Sequence, residues 1–117
     1  MSRSHAAAAA KLIHAAPVFA ALGDETRLHI VARLCDGGPQ SIARLTHGAH
    51  VSRQAVTKHL QALADAGIVQ GTRRGRERIW AIRTRRLTEV RRYLDQISEQ
   101  WDDAIERLRA AVERDGE

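Results

Sequence analysis

The stretch "VSRQAVTKHLQALADAGIV", residues 51–69, limits the fold more than any other part of the chain. Ser52 is placed to cap a helix. Gly67 is placed to end it, because glycine enters the left-handed conformation beyond a last helical turn without steric cost. Between them Val56, Leu60 and Leu63 recur every three or four residues, and Ala55 and Ala62 permit close packing. The spacing predicts a helix over about 53–66 with one inward stripe. Before it, a shorter helix is expected at about 41–47, with Ile42, Ala43 and Leu45 facing inward, and "HGAH" at 47–50 is the turn. Two short helices joined by a glycine-containing turn form a helix-turn-helix, here spanning about 41–66.

Two short segments rich in Ile, Val and Trp follow, "IVQGTRR" and "ERIWAIR", with Gly75 between them. They predict a hairpin with strands at about 68–73 and 78–83 and a basic tip. A helix-turn-helix followed at once by such a hairpin is a winged helix. Upstream, residues 6–16 are alanine-rich and favour helix, and Pro17 can open a second short helix that ends at Gly23. Asp24 is an expected N-cap for a helix over 25–36, whose Leu28, Val31, Ala32, Leu34 and Cys35 form an apolar face. "DGGP" at 36–39 stops it.

From Arg85 to about Glu113 the chain contains no Gly or Pro. Leu87, Val90, Leu94, Ile97, Trp101, Ile105, Leu108 and Val112 are spaced by three or four throughout. This predicts one long helix with an unbroken apolar seam. The domain ahead already has a core of its own. The seam is therefore expected to pack on a second copy of the chain; the alternative is that the helix folds back on its own domain. The expected architecture is mostly α with a small β-hairpin: one winged helix-turn-helix domain with a long C-terminal dimerisation helix.

Charge narrows the function. The chain carries 19 Lys+Arg against 14 Asp+Glu, a formal net charge of +5, which points to an anionic partner, nucleic acid rather than membrane. No apolar run approaches the ~20 residues of a membrane helix, and the alanine-rich start lacks the pattern of a signal peptide. Cys35 is the single cysteine, so no disulfide forms within the chain, which fits a reducing cytoplasm. Aromatic residues make up 3% of the chain, too few for a row of rings that stacks single strands. Double-stranded DNA is the expected partner.

The residues expected to touch it fall into two groups. On the second helix of the pair, Arg53, Gln54, Thr57, Lys58 and Gln61 point away from the inward stripe, and Ser52 lies at its start. Arginine can read guanine and glutamine can read adenine, each through two hydrogen bonds in the major groove. No acid occurs from 51 to 64, so nothing on this face repels phosphates. At the hairpin tip, Arg73, Arg74, Arg76 and Arg78 surround Gly75, opposed by Glu77 alone. A basic two-stranded finger can straddle phosphates or enter a minor groove.

"PVFAALGDETRLHIVARL", "SRQAVTKHLQALADAGIV" and "GRERIWAI", in this order, resemble the ArsR family of bacterial winged-helix transcription regulators over roughly residues 14–84. The resemblance implies a homodimeric repressor that binds an inverted-repeat operator, with dimer contacts from the first and last helices, here at about 6–22 and 85–113. The sequence departs from the family's metal sensors. The arsenic and cadmium type carries a "CxC" motif ahead of the recognition helix, where this chain has "SIARLTHGAH". The zinc and nickel type uses histidines on the last helix, but all six histidines here precede residue 60. The family's redox sensors use a cysteine pair. No metal or other cofactor is expected, and the chain resembles the family's metal-independent repressors more than its metal sensors.

His47 and His50 lie on a turn with no third ligand apparent. His59 reads as a partly buried packing and hydrogen-bonding residue, and Cys35 as a small core residue. No glycine-rich phosphate loop or nucleophile motif points to an enzyme. The competing readings are a protein-interaction winged helix and a non-specific architectural DNA binder. A small-molecule or redox effector stays open in the sequence.

Overall fold

The computed structural model describes residue 10 and residues 13–116. The expected alanine-rich helix falls mostly outside the described residues, at 6–9, 11 and 12. The elements run α1 (Ala16–Leu22), α2 (Glu25–Gly37), β1 (Gln40–Ser41), α3 (Ile42–Thr46), α4 (Arg53–Asp65), β2 (Val69–Arg74), β3 (Glu77–Ile82) and α5 (Thr84–Asp115).

Each helix boundary has a local cause. Pro17 sits in the first turn of α1, where its missing N–H leaves no bond unmade. The side chains of Asp24, Ser41 and Ser52 accept the backbone N–H of Arg27, Arg44 and Ala55, capping α2, α3 and α4. Past α4 the chain turns at Gly67, φ +78°, and Ile68 N–H reaches back to the Leu63 carbonyl at 2.9 Å. That closure aims β2 directly from the end of α4.

The core lies where α2, α4 and the sheet converge. Leu45, Val56, Leu60, Leu63, Ile68 and Val69 are fully buried, with Ile30, Leu34 and Trp80 beside them. Val56, Leu60 and Leu63 are the stripe read from the sequence. On α3, Leu45 is buried, Ile42 is half-buried and Ala43 is exposed, against expectation. A helix of five residues has room for only one turn of inward contact.

The inward face of α2 also differs from the one read in the sequence. Ile30 and Leu34 are buried and Val31 is half-buried, but Leu28, Ala32 and Cys35 are exposed, Leu28 by 52%. Two stripes at helical spacing compete there. The one that wins keeps Leu34 of the expected face, buries Ile30 in place of Leu28, and carries the two arginines that flank them. Arg27 Nε donates to His59 Nδ1 at 3.2 Å. Arg33 Nη1 donates to the Leu45 and His47 carbonyls at 2.6 and 3.2 Å, and its Nη2 to the Arg44 carbonyl at 2.8 Å. These bonds satisfy orphan carbonyls at the end of α3. Cys35 is therefore a surface residue rather than a core one.

The sheet has three strands in the order β1-β3-β2, one more than the expected hairpin. β1 is a two-residue pairing, Gln40 with Trp80 and Ser41 with Ile79, too short to show in any periodicity. Its Gln40 is buried and donates from Nε2 to the Arg33 carbonyl at 2.8 Å. α5 runs for 32 residues and gives the molecule a long axis of 69 Å against 30 and 20 Å in the other directions.

Candidate nucleic-acid interface

Packing of α4 decides which of its residues are available. With Val56, Leu60 and Leu63 turned into the core, Ser52, Arg53, Gln54, Thr57, Lys58 and Gln61 are all exposed. Ser52 serves the helix, its Oγ accepting the Ala55 N–H at 3.1 Å. Thr57 Oγ1 donates to the Arg53 carbonyl at 2.9 Å, and Gln61 Nε2 donates to Asp65 Oδ1 at 3.0 Å. Arg53, Gln54 and Lys58 make no side-chain hydrogen bond among the described residues. The first two turns of α4 thus present a guanidinium, an amide and an ammonium to solvent, and Asp65 in the last turn is the helix's one acid.

A contact invisible in the sequence fixes how α4 is held. His59, half-buried on α4, accepts from Arg27 of α2, and Arg27 Nη1 also reaches the Ala21 carbonyl at 3.4 Å. The same imidazole nitrogen is 4.0 Å from Asp24 Oδ1, beyond hydrogen-bond reach. Asp24 is held below its ordinary carboxyl pKa by the Arg27 backbone N–H first, then by the charges of His59 and Arg27 and the Thr26 N–H, with partial desolvation opposing. His59 thus has the packing and hydrogen-bonding role read for it.

The hairpin tip is built on Gly75, φ +62°, first of two turn residues between the Arg74–Glu77 pair. Only glycine takes that conformation cheaply. Arg73, Arg74 and Arg76 are exposed around it. Arg73 and Arg78 face each other across the strands, an unfavourable like-charge pair, while Arg74 faces Glu77. Arg78 is also exposed but is placed differently. Its guanidinium carbon lies 5.0 Å from the centroid of the Trp80 ring, within cation–π range. It reaches the indole by crossing Gly71, where a Cβ would fall 2.6 Å from its Nε. Arg78 is thus engaged with the wing's own base, and Arg73, Arg74 and Arg76 are the cations left around the tip.

The seam of α5 divides in two. Its first turns serve the chain's own core: Leu87 is half-buried, and Val90 is 7% exposed and belongs to the core cluster. Beyond that point Ile97 is half-buried, while Leu94, Trp101, Ile105, Leu108 and Val112 lie open, Trp101 by 64% and Leu108 by 65%. Val90 faces its own domain, so the seam read from the sequence as one surface is two. Among the described residues no helix is long and apolar enough to cross a membrane. His47 and His50 are exposed on the turn between α3 and α4.

Known proteins resemble the chain in sequence and in fold. Residues 22–72 match the family described as "Helix-turn-helix domain". An HTH-type transcriptional regulator of Mycobacterium tuberculosis is 32% identical over 97 residues, which cover 83% of this chain and 87% of the relative. The HTH-type transcriptional repressor SmtB of the same species is 32% identical over 85 residues, 73% of this chain and 61% of that protein. The solved structure of the "ArsR-like Transcriptional Regulator from Rhodococcus sp. RHA1" superposes with a TM-score of 0.66 at 40% identity, over 82% of this chain and 87% of the other.

Proposed function

The chain belongs to the ArsR family of winged helix-turn-helix transcriptional regulators, and from that premise we propose that it is a homodimeric repressor reading an inverted-repeat operator through α4 and the wing. The carrying observation is the outer face of α4. Arg53, Gln54 and Lys58 stand exposed on a helix whose other side is fixed in the core. Arg53 suits a guanine edge, Gln54 an adenine edge, and Lys58 a phosphate or a base. Thr57, its hydroxyl turned back to the helix, offers a methyl group to thymine. Gln61 reads a base once it leaves Asp65.

The wing supplies affinity more than sequence. Arg73, Arg74 and Arg76 are suited to phosphates or to a narrow minor groove. Arg78 holds the strand that carries them. Dimerisation rests on Leu94, Ile97, Trp101, Ile105 and Leu108, an apolar seam that a second copy of α5 would cover. A two-fold dimer presents two α4 helices related by symmetry, which is why the operator should be an inverted repeat. Repression is supported by the resemblance to a named repressor and by the simple blocking of a promoter. The action needs no catalysis and no cofactor, and its place is the cytoplasm, on the chromosome.

The test is selection of double-stranded DNA from a random pool by the purified protein near physiological salt. The expected result is an enriched inverted repeat with half-site centres about 10 bp, or a multiple of it, apart. Binding without enrichment would make the protein architectural. A stable dimer that binds no DNA would leave a protein-interaction module.

A further inference from the structure

A second surface bears on α4 from the side opposite to the proposed DNA contacts. A cleft of about 470 Å³ opens between the first turns of α2 and the turn that precedes α4. Ile30, Leu45 and Val56 form its apolar floor, and Thr26, His29 and His50 stand among its polar lining. Its size falls in the range of small-molecule sites, ~300–1,000 Å³.

We propose that this cleft binds a small, mainly apolar molecule of phenol-like chemistry, a ring carrying hydroxyl groups, and that its occupancy changes operator affinity. The coupling to DNA rests on the function proposed above; the binding site does not.

The ligand class follows from the lining. The floor demands an apolar body. The rim offers acceptors and mixed donor–acceptors: Glu25, the imidazoles of His29 and His50, and the Thr26 hydroxyl. Thr26 and His50 make no side-chain hydrogen bond among the described residues. Arg33 also lines the cleft, but its guanidinium already serves the Arg44, Leu45 and His47 carbonyls. An anion would meet Glu25 and find that guanidinium engaged, whereas hydroxyl donors meet groups able to accept them. Among the described residues no three His, Cys, Asp or Glu side chains are placed to share a metal ion.

The coupling follows from what the walls are. One wall, α2, is fixed by Ile30 and Leu34 in the core. The other is the turn at 48–51, which leads into the Ser52 cap and so sets where α4 begins. That turn is anchored at its two ends, by the Arg33 bond to the His47 carbonyl and by Val51 packed against the core, and is open between them. Gly48 has φ +78° and open space around its Cα, and the turn's own bond is Ala49 N–H to the Thr46 carbonyl at 3.0 Å. An occupant touches this turn and Val56 of α4 together, so it favours one placement of the helix. Linkage then requires that DNA and ligand alter each other's affinity by the same factor.

The experiment uses the full chain and three probes: phenol, catechol and indole. Backbone amide shifts are followed during titration, and affinity for the enriched operator is measured with and without saturating probe. The expected result is that a hydroxylated probe moves residues 25–33 and 48–56, and that operator affinity changes about fivefold or more. Ala49→Trp covers the cleft from an exposed position and should abolish those shifts. His29→Ala with His50→Ala keeps the floor and should weaken the probe roughly fivefold for each hydrogen bond lost. Shifts confined to α5, shifts that survive Ala49→Trp, or no shifts at all would overturn the site. Binding in the cleft with unchanged operator affinity would overturn the regulation alone. Binding in the cleft by a protein that enriches no DNA would retain the site and remove the DNA reading instead.

Discussion

At the scale of single residues, the proposed division of labour is testable one side chain at a time. Arg53→Ala or Gln54→Ala should relax base preference at particular operator positions, each at a cost of about 1–3 kcal/mol. Competition binding against operators varied one base at a time measures it. Equal affinity and preference in both variants would remove α4 from the base contacts. Gly71→Ala probes Arg78 without changing any charge. The added methyl group occupies the path of Arg78 across the strand and should displace its guanidinium from Trp80. Operator affinity should fall while its dependence on salt stays the same, because no phosphate contact is lost. Asp24 gives the pH dependence. Its folded pKa is lowered, so the cap's contribution is complete above the ordinary value of 3.8 and is lost as the pH falls through the folded value. In Asp24→Asn, which keeps an acceptor that does not titrate, the acid limb of a circular-dichroism titration should be flatter than in the wild type. These assignments were only partly legible beforehand. Exposure of the α4 side chains could be read from periodicity. The partners of Arg27 and Arg33 could not, since His59 and the carbonyls of Arg44, Leu45 and His47 lie on or beside other helices, and the stacking of Arg78 on Trp80, its neighbour two residues along β3, depends on the open space above Gly71 of the facing strand.

At the scale of elements, helix and wing should fail differently. Replacing Arg74 and Arg76 together should weaken binding to every sequence and flatten the slope of affinity against salt by roughly one phosphate contact per arginine. An unchanged slope would place the wing outside the interface. Leu60→Ala in the inward stripe should cost about 2–5 kcal/mol of folding stability, measured by denaturant unfolding, because the side chain is fully buried. The helix-turn-helix and the hairpin were legible because each is encoded locally, by a cap, a stripe and a glycine. β1 was not, because two residues carry no period and their pairing with Trp80 and Ile79 is a long-range event. The face of α2 was misread for a related reason. Helical spacing alone allows Leu28, Ala32 and Cys35 to face inward beside Leu34, but Leu28 is as large as Ile30 and still lies exposed; the reach of Arg27 and Arg33 to acceptors on other helices goes with the observed rotation of the helix.

At the scale of the whole molecule, the long helix poses the main question. Its outer part carries Trp101, Ile105, Leu108 and Val112 along a length that no other element among the described residues covers. Trp101→Glu places a charge there without disturbing the core, and it should give monomers by light scattering with weak operator affinity. A variant that stays dimeric would move the contact elsewhere. The sequence by itself determined the order of the elements other than β1, the capped helix-turn-helix, the basic wing and the presence of one continuous amphipathic helix. Those features depend on interactions within a few residues: caps, turn geometry and hydrophobic period. The tertiary structure alone decided which stripe of α2 is buried, that Val90 belongs to the domain's core while the seam beyond it lies open, that Arg78 rests on Trp80, and that a cleft adjoins the start of α4. Apart from the Arg78–Trp80 contact, which lies within β3 and needs only the open space over Gly71, each of these depends on which distant group occupies the neighbouring space, and that is settled only when the elements pack.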